Sequence, residues 1–208
     1  MSKTVSHNAR MLELGIGRTI DIRNNILDIF SAQTFDDFID GSNWYENAHN
    51  LAIDIANANR VSPVNGAAVI SHLSPRTTWD RNVAGAMWVG GITSKRPAGL
   101  MSRNVENALR ALNASEPWST FSPTARKTIA FARNILDMNY ENGLEPITLD
   151  AWALRIAGVP ETYIGRKGVY DAIEHCYRLA AKQVGIKGSD IQAITWVTVR
   201  RNKSLLNK

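Results

Sequence analysis

Apolar side chains recur along this chain at spacings of three and four residues, which is the period of an α-helix. The stripe over residues 44–59, for example, consists of Trp44, Ala48, Leu51, Ala52, Ile55 and Ala56. No segment alternates apolar and polar residues convincingly at the period of two that a β-strand would show. The pattern therefore predicts an all-α fold of about ten helices without an internal repeat.

Capping residues, glycines and prolines predict where these helices begin and end. Residues 1–18 are expected to form a loosely ordered arm, and Pro63-Val64-Asn65-Gly66 is expected to break the chain. Ser189 is expected to cap the last helix. The predicted helices cover residues 18–30, 34–39, 44–59, 67–73, a segment from the 74–82 connector to about 89, then 104–112, 124–138, 168–184 and 189–199.

The length of 208 residues fits one large domain or two small lobes that share an interface. We expect an N-terminal arm with short helices over 1–43, a single two-lobed helical domain over 44–200, and a basic tail over 201–208. A cleft between the lobes would be lined by the residues of the connectors. Arg76, Thr77, Lys127 and Asp150 are the polar residues expected there.

Asp150 occupies a distinctive position between an apolar lead-in (Ile147-Thr148-Leu149) and a short amphipathic segment. In that segment Leu149, Trp152, Ala153 and Ile156 share one helical face at i, i+3, i+4 and i+7. An aspartate at a helix start accepts hydrogen bonds from the free N–H groups of the first turn. Asp150 is therefore either a helix cap or the central carboxylate of a functional site, and the local pattern leaves both readings open.

Composition excludes several classes of protein. An apolar fraction of 44% with six Trp is enough for a folded core. The single cysteine, Cys176, excludes a disulfide framework, a Cys-ligated zinc site and a four-cysteine iron–sulfur cluster. Metal-ligand spacing, a phosphate-binding glycine loop and a nucleophile elbow are all missing, so no cofactor and no metal are expected. Without a membrane-spanning run or a signal-peptide core, we expect a cytoplasmic protein that does not enter a membrane.

The charge is basic overall and unevenly spread. The formal net charge is +5, and the sequence pI is near 9.5. From Arg166 onward nine basic residues face three acidic ones, whereas the first 54 residues carry four basic and eight acidic residues. A basic end of this kind is typical of a phosphate-binding surface, and also of a solvated helix face.

Three segments together resemble the helix-hairpin-helix DNA glycosylase superfamily, which has the endonuclease III-like fold. They are the apolar helix and polar connector Ala67–Ala84, the segment Arg126-Lys127-Thr128-Ile129, and the segment Leu149-Asp150-Ala151-Trp152-Ala153-Leu154-Arg155. The residues from Tyr170 to Trp196 also look like the closing helices of that fold. The resemblance covers roughly residues 45–200, and it implies a two-lobed glycosylase-like fold without the iron–sulfur cluster of some relatives.

This resemblance implies a function on DNA, with a nucleotide flipped out of the duplex. Asp150 would be the catalytic carboxylate, and Lys127 would be the amine that can attack C1′ of the sugar. The residues implied to contact DNA are Arg76, Thr77, Arg81, Asn82, Arg126 and Arg155. The chain departs from the family pattern at 120–125, where the glycines of the DNA-gripping hairpin are absent and Pro123 removes a donor.

Several alternatives stay open. The Ser-Pro-Arg-Thr-x-Trp-x-x-Asn and Leu-Asp-x-Trp-Ala-x-Arg segments also resemble small bacteriophage-encoded proteins, for which the cytoplasm would be that of the host cell. That resemblance implies a thymidine-hypermodification enzyme, with Arg76 and Arg155 available for an anionic substituent such as pyrophosphate. The remaining readings are a non-catalytic DNA-binding module and a helical protein that binds a host protein.

Overall fold

The computed structural model describes residues 6–206, and the helical periodicity of the sequence appears there as a series of α-helices joined by turns and irregular segments. These residues contain no β-strand, so the predicted all-α fold is confirmed. Three 3-10 turns are found at Pro117–Thr120, Glu161–Tyr163 and Lys203–Leu206. The α-helices are α1 (His7–Glu13), α2 (Thr19–Ser31), α3 (Phe35–Ser42), α4 (Trp44–Asn59), α5 (Pro63–Leu73), α6 (Trp79–Val89), α7 (Ser102–Leu112), α8 (Arg126–Ile135), α9 (Ala151–Ile156), α10 (Val169–Val184) and α11 (Gly188–Arg201).

The chain folds into two compact units. The inserted unit is Tyr45–Leu144, and the flanking unit consists of the chain up to Trp44 together with the chain from Glu145 onward. The flanking unit thus combines the acidic N-terminal segment with the basic C-terminal helices. The boundaries expected from the sequence, at 43 and at 200, stay predictions.

The core of the flanking unit forms around α10, which packs against α2 and α11. Tyr177 and Ile173 on α10 are fully buried, as is Ile26 on α2. On another side of α11, α3 approaches so closely that a Cβ on Gly41 would lie 2.4 Å from the Cα of Ile194. Only glycine fits at this helix crossing.

The expectation of a loosely ordered arm over residues 1–18 is wrong for 7–13, which form α1. The Oγ of Ser6 accepts a hydrogen bond from the backbone N–H of Ala9 at 3.2 Å and caps this helix. Met11 is fully buried, and α1 packs against α10. The segment is ordered by long-range packing, which the short apolar pattern of α1 does not reveal. Residues 1–5 lie outside the described residues.

The inserted unit is built around α5, whose residues are buried from Asn65 to Leu73. This helix packs against α6, α7 and α8. The expectation that Pro63-Val64-Asn65-Gly66 breaks the chain is wrong, because Pro63 is the first residue of α5, where its missing N–H costs nothing. A Cβ on Gly66 would lie 2.1 Å from the carbonyl oxygen of Ala52, so glycine here permits close packing of α5 on α4.

Among the described residues, no helix is both long enough and apolar enough to cross a membrane.

Candidate nucleic-acid interface

The lead-in to Asp150 is held in place by polar side chains of α10. The buried carboxylate of Glu174 accepts a hydrogen bond from the N–H of Ile147 at 3.2 Å. The hydroxyl of Tyr170 donates to the carbonyl of Ile147 at 3.1 Å and accepts from the N–H of Leu149 at 3.4 Å. These bonds replace the strand pairing that an extended segment would otherwise need, and they set the point at which α9 begins.

The start of the same lead-in caps α11. The carboxylate of Glu145 accepts hydrogen bonds from the N–H groups of Gly188 and Ser189, each at 2.7 Å, and from the hydroxyl of Ser189 at 2.9 Å. The expectation that Ser189 is the N-cap is therefore wrong. Lys187 holds the N-cap position without a side-chain cap, and Ser189 lies inside the helix, where its hydroxyl contributes to binding Glu145.

Asp150 is the N-cap of α9, as the local pattern predicts. Its Oδ1 accepts a hydrogen bond from the N–H of Ala153 at 2.8 Å, and the side chain is half-buried. The buried hydroxyl of Tyr177 donates to the carbonyl of Ala153 at 2.9 Å. Burial, and secondarily the charge of Asp150, hold the pKa of Tyr177 well above its ordinary value, so this hydroxyl stays protonated and neutral.

Beyond Asp150, α9 and α11 together present tryptophans and arginines at the surface. The guanidinium of Arg155 lies 4.9 Å from the centre of the Trp152 ring. The guanidinium of Arg200 lies 5.7 Å from Trp152 and 5.2 Å from Trp196. We call Trp152, Arg155, Trp196 and Arg200 the aromatic–cationic surface. Both indoles are half-buried, and both guanidinium groups are exposed. Proteins that bind single-stranded nucleic acid combine such groups, with aromatic rings stacking on bases and cations contacting phosphates.

The positive charges near this surface differ in how far they are neutralised. Arg155 donates to Glu161 through Nε at 3.1 Å and Nη2 at 2.8 Å. Arg201 is paired on α3, with Asp37 at 2.9 Å and with Asp40. Within residues 6–206, Arg200 and Lys203 have no carboxylate partner. The charge free to attract phosphate is therefore smaller than the count of basic residues indicates.

Two of the residues expected in the functional site, Arg126 and Lys127, begin α8 in the inserted unit. Both are half-buried, and neither is without contacts. The hydroxyl of Thr128 beside them donates to the carbonyl of Ala125 at 2.9 Å. Lys127, the predicted amine, therefore lies in the first turn of α8 and is half-buried.

The connector between α5 and α6 carries Arg76 and Thr77. Arg76 is exposed and adopts a left-handed backbone with φ 58°, which is unusual for a residue with a side chain. The loop around it is braced, because the amide of Asn104 donates to the carbonyl of Pro75 at 2.9 Å and the hydroxyl of Thr77 donates to the same carbonyl at 3.3 Å. Arg76 is thus an exposed residue on a turn that two side-chain hydrogen bonds brace.

Arg81 and Asn82 follow on α6. Arg81 is exposed, and its guanidinium carbon would lie 3.3 Å from a Cβ placed on Gly99. Asn82 is buried, and its amide donates to the carbonyl of Ile70 at 3.1 Å, so that it joins α6 to α5. Arg81 therefore presents a charge at the surface, whereas the neutral amide of Asn82 is buried and has a structural role.

The residues expected in the site divide between the two units. Asp150 and Arg155 belong to the flanking unit and lie on one short helix. The other six, Arg76, Thr77, Arg81, Asn82, Arg126 and Lys127, belong to the inserted unit. Trp196 is not among the residues that the sequence predicts for this surface. The signal was present, because Trp196 and Arg200 are four residues apart on a helix and therefore share a face.

Within residues 6–206, no group of three or more His, Cys, Asp or Glu side chains is arranged to hold a metal ion.

Fold and surface together define an all-helical protein that carries a basic aromatic face. The chain belongs to DUF7178, a family of unknown function, whose sequence pattern matches residues 14–203. Comparisons with curated proteins and with solved structures found no match.

Proposed function

We propose that this protein processes bases in DNA, on a helical fold of the helix-hairpin-helix glycosylase type. A flipped-out base, which can be a modified one, is the substrate, and Asp150 is the central carboxylate. One observation carries the proposal: the helix that Asp150 begins is also the helix that presents Trp152 and Arg155 at the surface. A candidate catalytic group and a candidate strand-binding face thus come from one short helix.

Asp150 has the chemistry that base release requires. A carboxylate stabilises the positive charge that develops on the sugar as the glycosidic bond breaks, or it activates the attacking nucleophile. Half-burial strengthens that electrostatic effect, since water screens a half-buried charge less than an exposed one. In this proposal the amine of Lys127 is the candidate nucleophile toward C1′, and it would have to act in its neutral form.

The DNA strand would be held by cations and aromatic rings. Arg200 and Arg155 supply charge beside Trp152 and Trp196 on the flanking unit. For the inserted unit, we propose that Arg76 contacts phosphate or enters the space left by a flipped base; its exposure and its braced turn support this role.

The test is to search for a free or altered base after incubating the protein with DNA. Substrates would include ordinary DNA, lesion-bearing DNA and DNA with hypermodified pyrimidines. The wild-type chain should give a product that Asp150→Asn does not give. Asp21→Asn, which also removes a carboxylate from the first turn of a helix, is the matched control and should retain the activity.

A second candidate function is a non-catalytic DNA-binding module. The observation that favours it is that Oδ1 of Asp150 already accepts the N–H of Ala153, which is the ordinary role of a helix cap. For such a module the quantity to measure is the affinity for DNA, because no reaction would take place. Neutralising Arg200 and Lys203 together should reduce the slope of log affinity against log salt by about 1.4 to 1.8 for two phosphate contacts.

Arg201 provides the control for this binding test, because its charge is already engaged by Asp37 and Asp40. We expect Arg201→Gln to leave the salt slope nearly unchanged. An unchanged slope in the Arg200→Gln/Lys203→Gln variant would contradict strand binding at this surface.

A further inference from the structure

A cavity lies next to the aromatic–cationic surface, on the side of α9 that faces the 3-10 turn Lys203–Leu206. Its volume is about 480 Å³, and it is open to solvent. One part of its lining is apolar and comes from Trp152, Val159, Pro160 and Leu206. The other part is cationic and comes from Arg155 and Lys203. An apolar wall with positive charge at its rim suits a ligand that has a flat apolar body and an anionic group.

One wall of the cavity is joined to α2 by a hydrogen bond and by close packing. Gly158 adopts a left-handed backbone with φ 70° at the end of α9. The amide of Asn25 on α2 donates to the carbonyl of Ala157 at 3.1 Å, and a Cβ on Gly158 would lie 2.5 Å from that amide nitrogen. The turn that carries Val159 and Pro160 is therefore locked to α2, and binding would cost little reordering of this wall.

The electrostatics of the cavity also point to an anion. Arg155 uses Nε and Nη2 on Glu161, which leaves its Nη1 edge for another acceptor. Lys203 is exposed and pairs with no carboxylate within residues 6–206. Arg200, on the same Trp152 ring, adds a further positive charge nearby. Glu161 opposes this field, so its carboxylate should weaken the binding of any anion.

We propose that this cavity binds one nucleotide unit, with the base against the wall of Trp152, Pro160 and Leu206 and the phosphate between Arg155 and Lys203. Guanidinium and ammonium groups are the usual partners of phosphate, and an aromatic ring such as that of Trp152 can contact any of the bases. The inference deepens the proposed function and rests on it only for the source of the nucleotide, which is either the DNA strand being processed or a free nucleotide.

The experiment follows the indole N–H signals of the six tryptophans in an NMR titration of the full chain, with the Trp152 signal assigned through Trp152→Phe. The ligands are thymidine monophosphate, thymidine and inorganic phosphate. We expect the monophosphate to shift the Trp152 signal saturably and to bind about tenfold more tightly than thymidine, since charge-assisted hydrogen bonds are worth that much. Equal affinities for nucleotide and nucleoside, or no saturable shift, would overturn the proposal.

Three variants make the assignment specific. Lys203→Gln should weaken monophosphate binding about fivefold to tenfold, whereas Glu161→Gln should tighten it about threefold, because it removes an opposing charge. Lys182→Gln, an exposed change on α10, should have no effect. If Glu161 served only to hold Arg155 in place, Glu161→Gln would bind the monophosphate more weakly than the wild type. An affinity that is unchanged or lower in this variant therefore overturns the proposed site.

A last arm identifies the source of the nucleotide and separates this inference from the proposed function. If a single-stranded oligonucleotide displaces the monophosphate, the site holds part of a strand; if it does not, the site holds a free nucleotide. Asp150→Asn should bind the monophosphate as the wild type does. The two proposals can therefore be told apart. A saturable Trp152 shift without any processed base would support the nucleotide site and contradict base processing, and a processed base without the shift would do the reverse.

Discussion

The carboxylate of Glu145 binds Ser189 twice, through the backbone N–H at 2.7 Å and through the hydroxyl at 2.9 Å, across 44 residues of sequence. The same carboxylate accepts the N–H of Gly188. One side chain therefore caps α11 and fixes the chain that leads to Asp150. A single carboxylate supports both the helix of Arg200 and the start of the candidate site.

Removing this cap should destabilise the protein. We expect Glu145→Ala to lower the free energy of unfolding by about 2 to 3 kcal/mol, because three buried or half-buried donors lose their charged acceptor. Glu145→Gln should cost about 1 to 2 kcal/mol, since an amide oxygen replaces a carboxylate. Urea unfolding measures both. Glu141→Ala, an exposed change in the preceding turn, should be nearly neutral, and a Glu145→Ala variant as stable as this control would contradict the cap.

Asp150 should show a smaller effect that depends on the replacement. Asn is as good an N-cap as Asp, so Asp150→Asn should change the free energy of unfolding by less than about 0.5 kcal/mol. Asp150→Ala removes the acceptor of the Ala153 N–H and should cost about 1 kcal/mol. Urea unfolding of the two variants checks this. A strongly destabilised Asp150→Asn chain would show that the carboxylate has a structural role beyond capping.

Arg76 and Arg60 form a matched pair for separating strain from function. Both are exposed residues of the inserted unit with left-handed backbones, φ 58° and 55°. Glycine adopts this backbone without strain, so Arg76→Gly and Arg60→Gly should each raise the free energy of unfolding by up to about 1 kcal/mol. Only Arg76→Gly should weaken DNA binding. Equal DNA affinity in the two variants would remove Arg76 from the predicted interface.

His72 should make the protein less stable in mild acid. Its ring stacks on Phe121 with centroids 4.3 Å apart, and Nε2 lies 2.9 Å from Oγ1 of Thr120. Burial, and secondarily the charge of Arg110, lower the pKa of His72 to about 4. An unfolded histidine titrates near 6.5, so below that pH the unfolded chain binds a proton that the folded chain does not. The stabilisation that comes from keeping His72 neutral is therefore fully present above about pH 6.5, and it is lost as the pH falls toward 4.

The size of this acid effect follows from the two pKa values. Between about pH 7.5 and about pH 5, the wild type should lose about 2 kcal/mol through His72. His72→Gln should be less stable than the wild type at neutral pH. Between the same two pH values, however, its free energy of unfolding should fall by about 2 kcal/mol less than that of the wild type, because the titrating imidazole is gone. Parallel losses in the two proteins, measured by urea unfolding at each pH, would contradict a neutral buried His72.

Local patterns predicted the features that depend on nearby residues. Asp150 was predicted as a helix start from the apolar stripe that follows it, and the structure places it as the N-cap of α9. The all-α class followed in the same way from helical spacing. The beginning of α5 at Pro63 was missed because Pro-Val-Asn-Gly reads as a turn, although proline is also favoured at the first position of a helix.

Features that depend on distant residues could not be predicted. Nothing near Ser189 shows that its helix is capped by Glu145, and nothing near Arg201 shows that Asp37 and Asp40 engage its charge. For the same reason, the count of basic residues overstated the charge available at the C-terminal end. The contact of Arg200 with Trp152 likewise joins two helices that the sequence separates by many residues.

The most direct test of the central claim is mass spectrometry of nucleosides and free bases from DNA incubated with the wild-type chain and with Asp150→Asn. The DNA would include ordinary, lesion-bearing and hypermodified duplexes and single strands. We predict a released or altered base with the wild type and with Asp21→Asn, and none with Asp150→Asn at unchanged DNA affinity. The same products from wild type and Asp150→Asn, or no product from any DNA, would contradict the claim and leave Asp150 as the cap of α9.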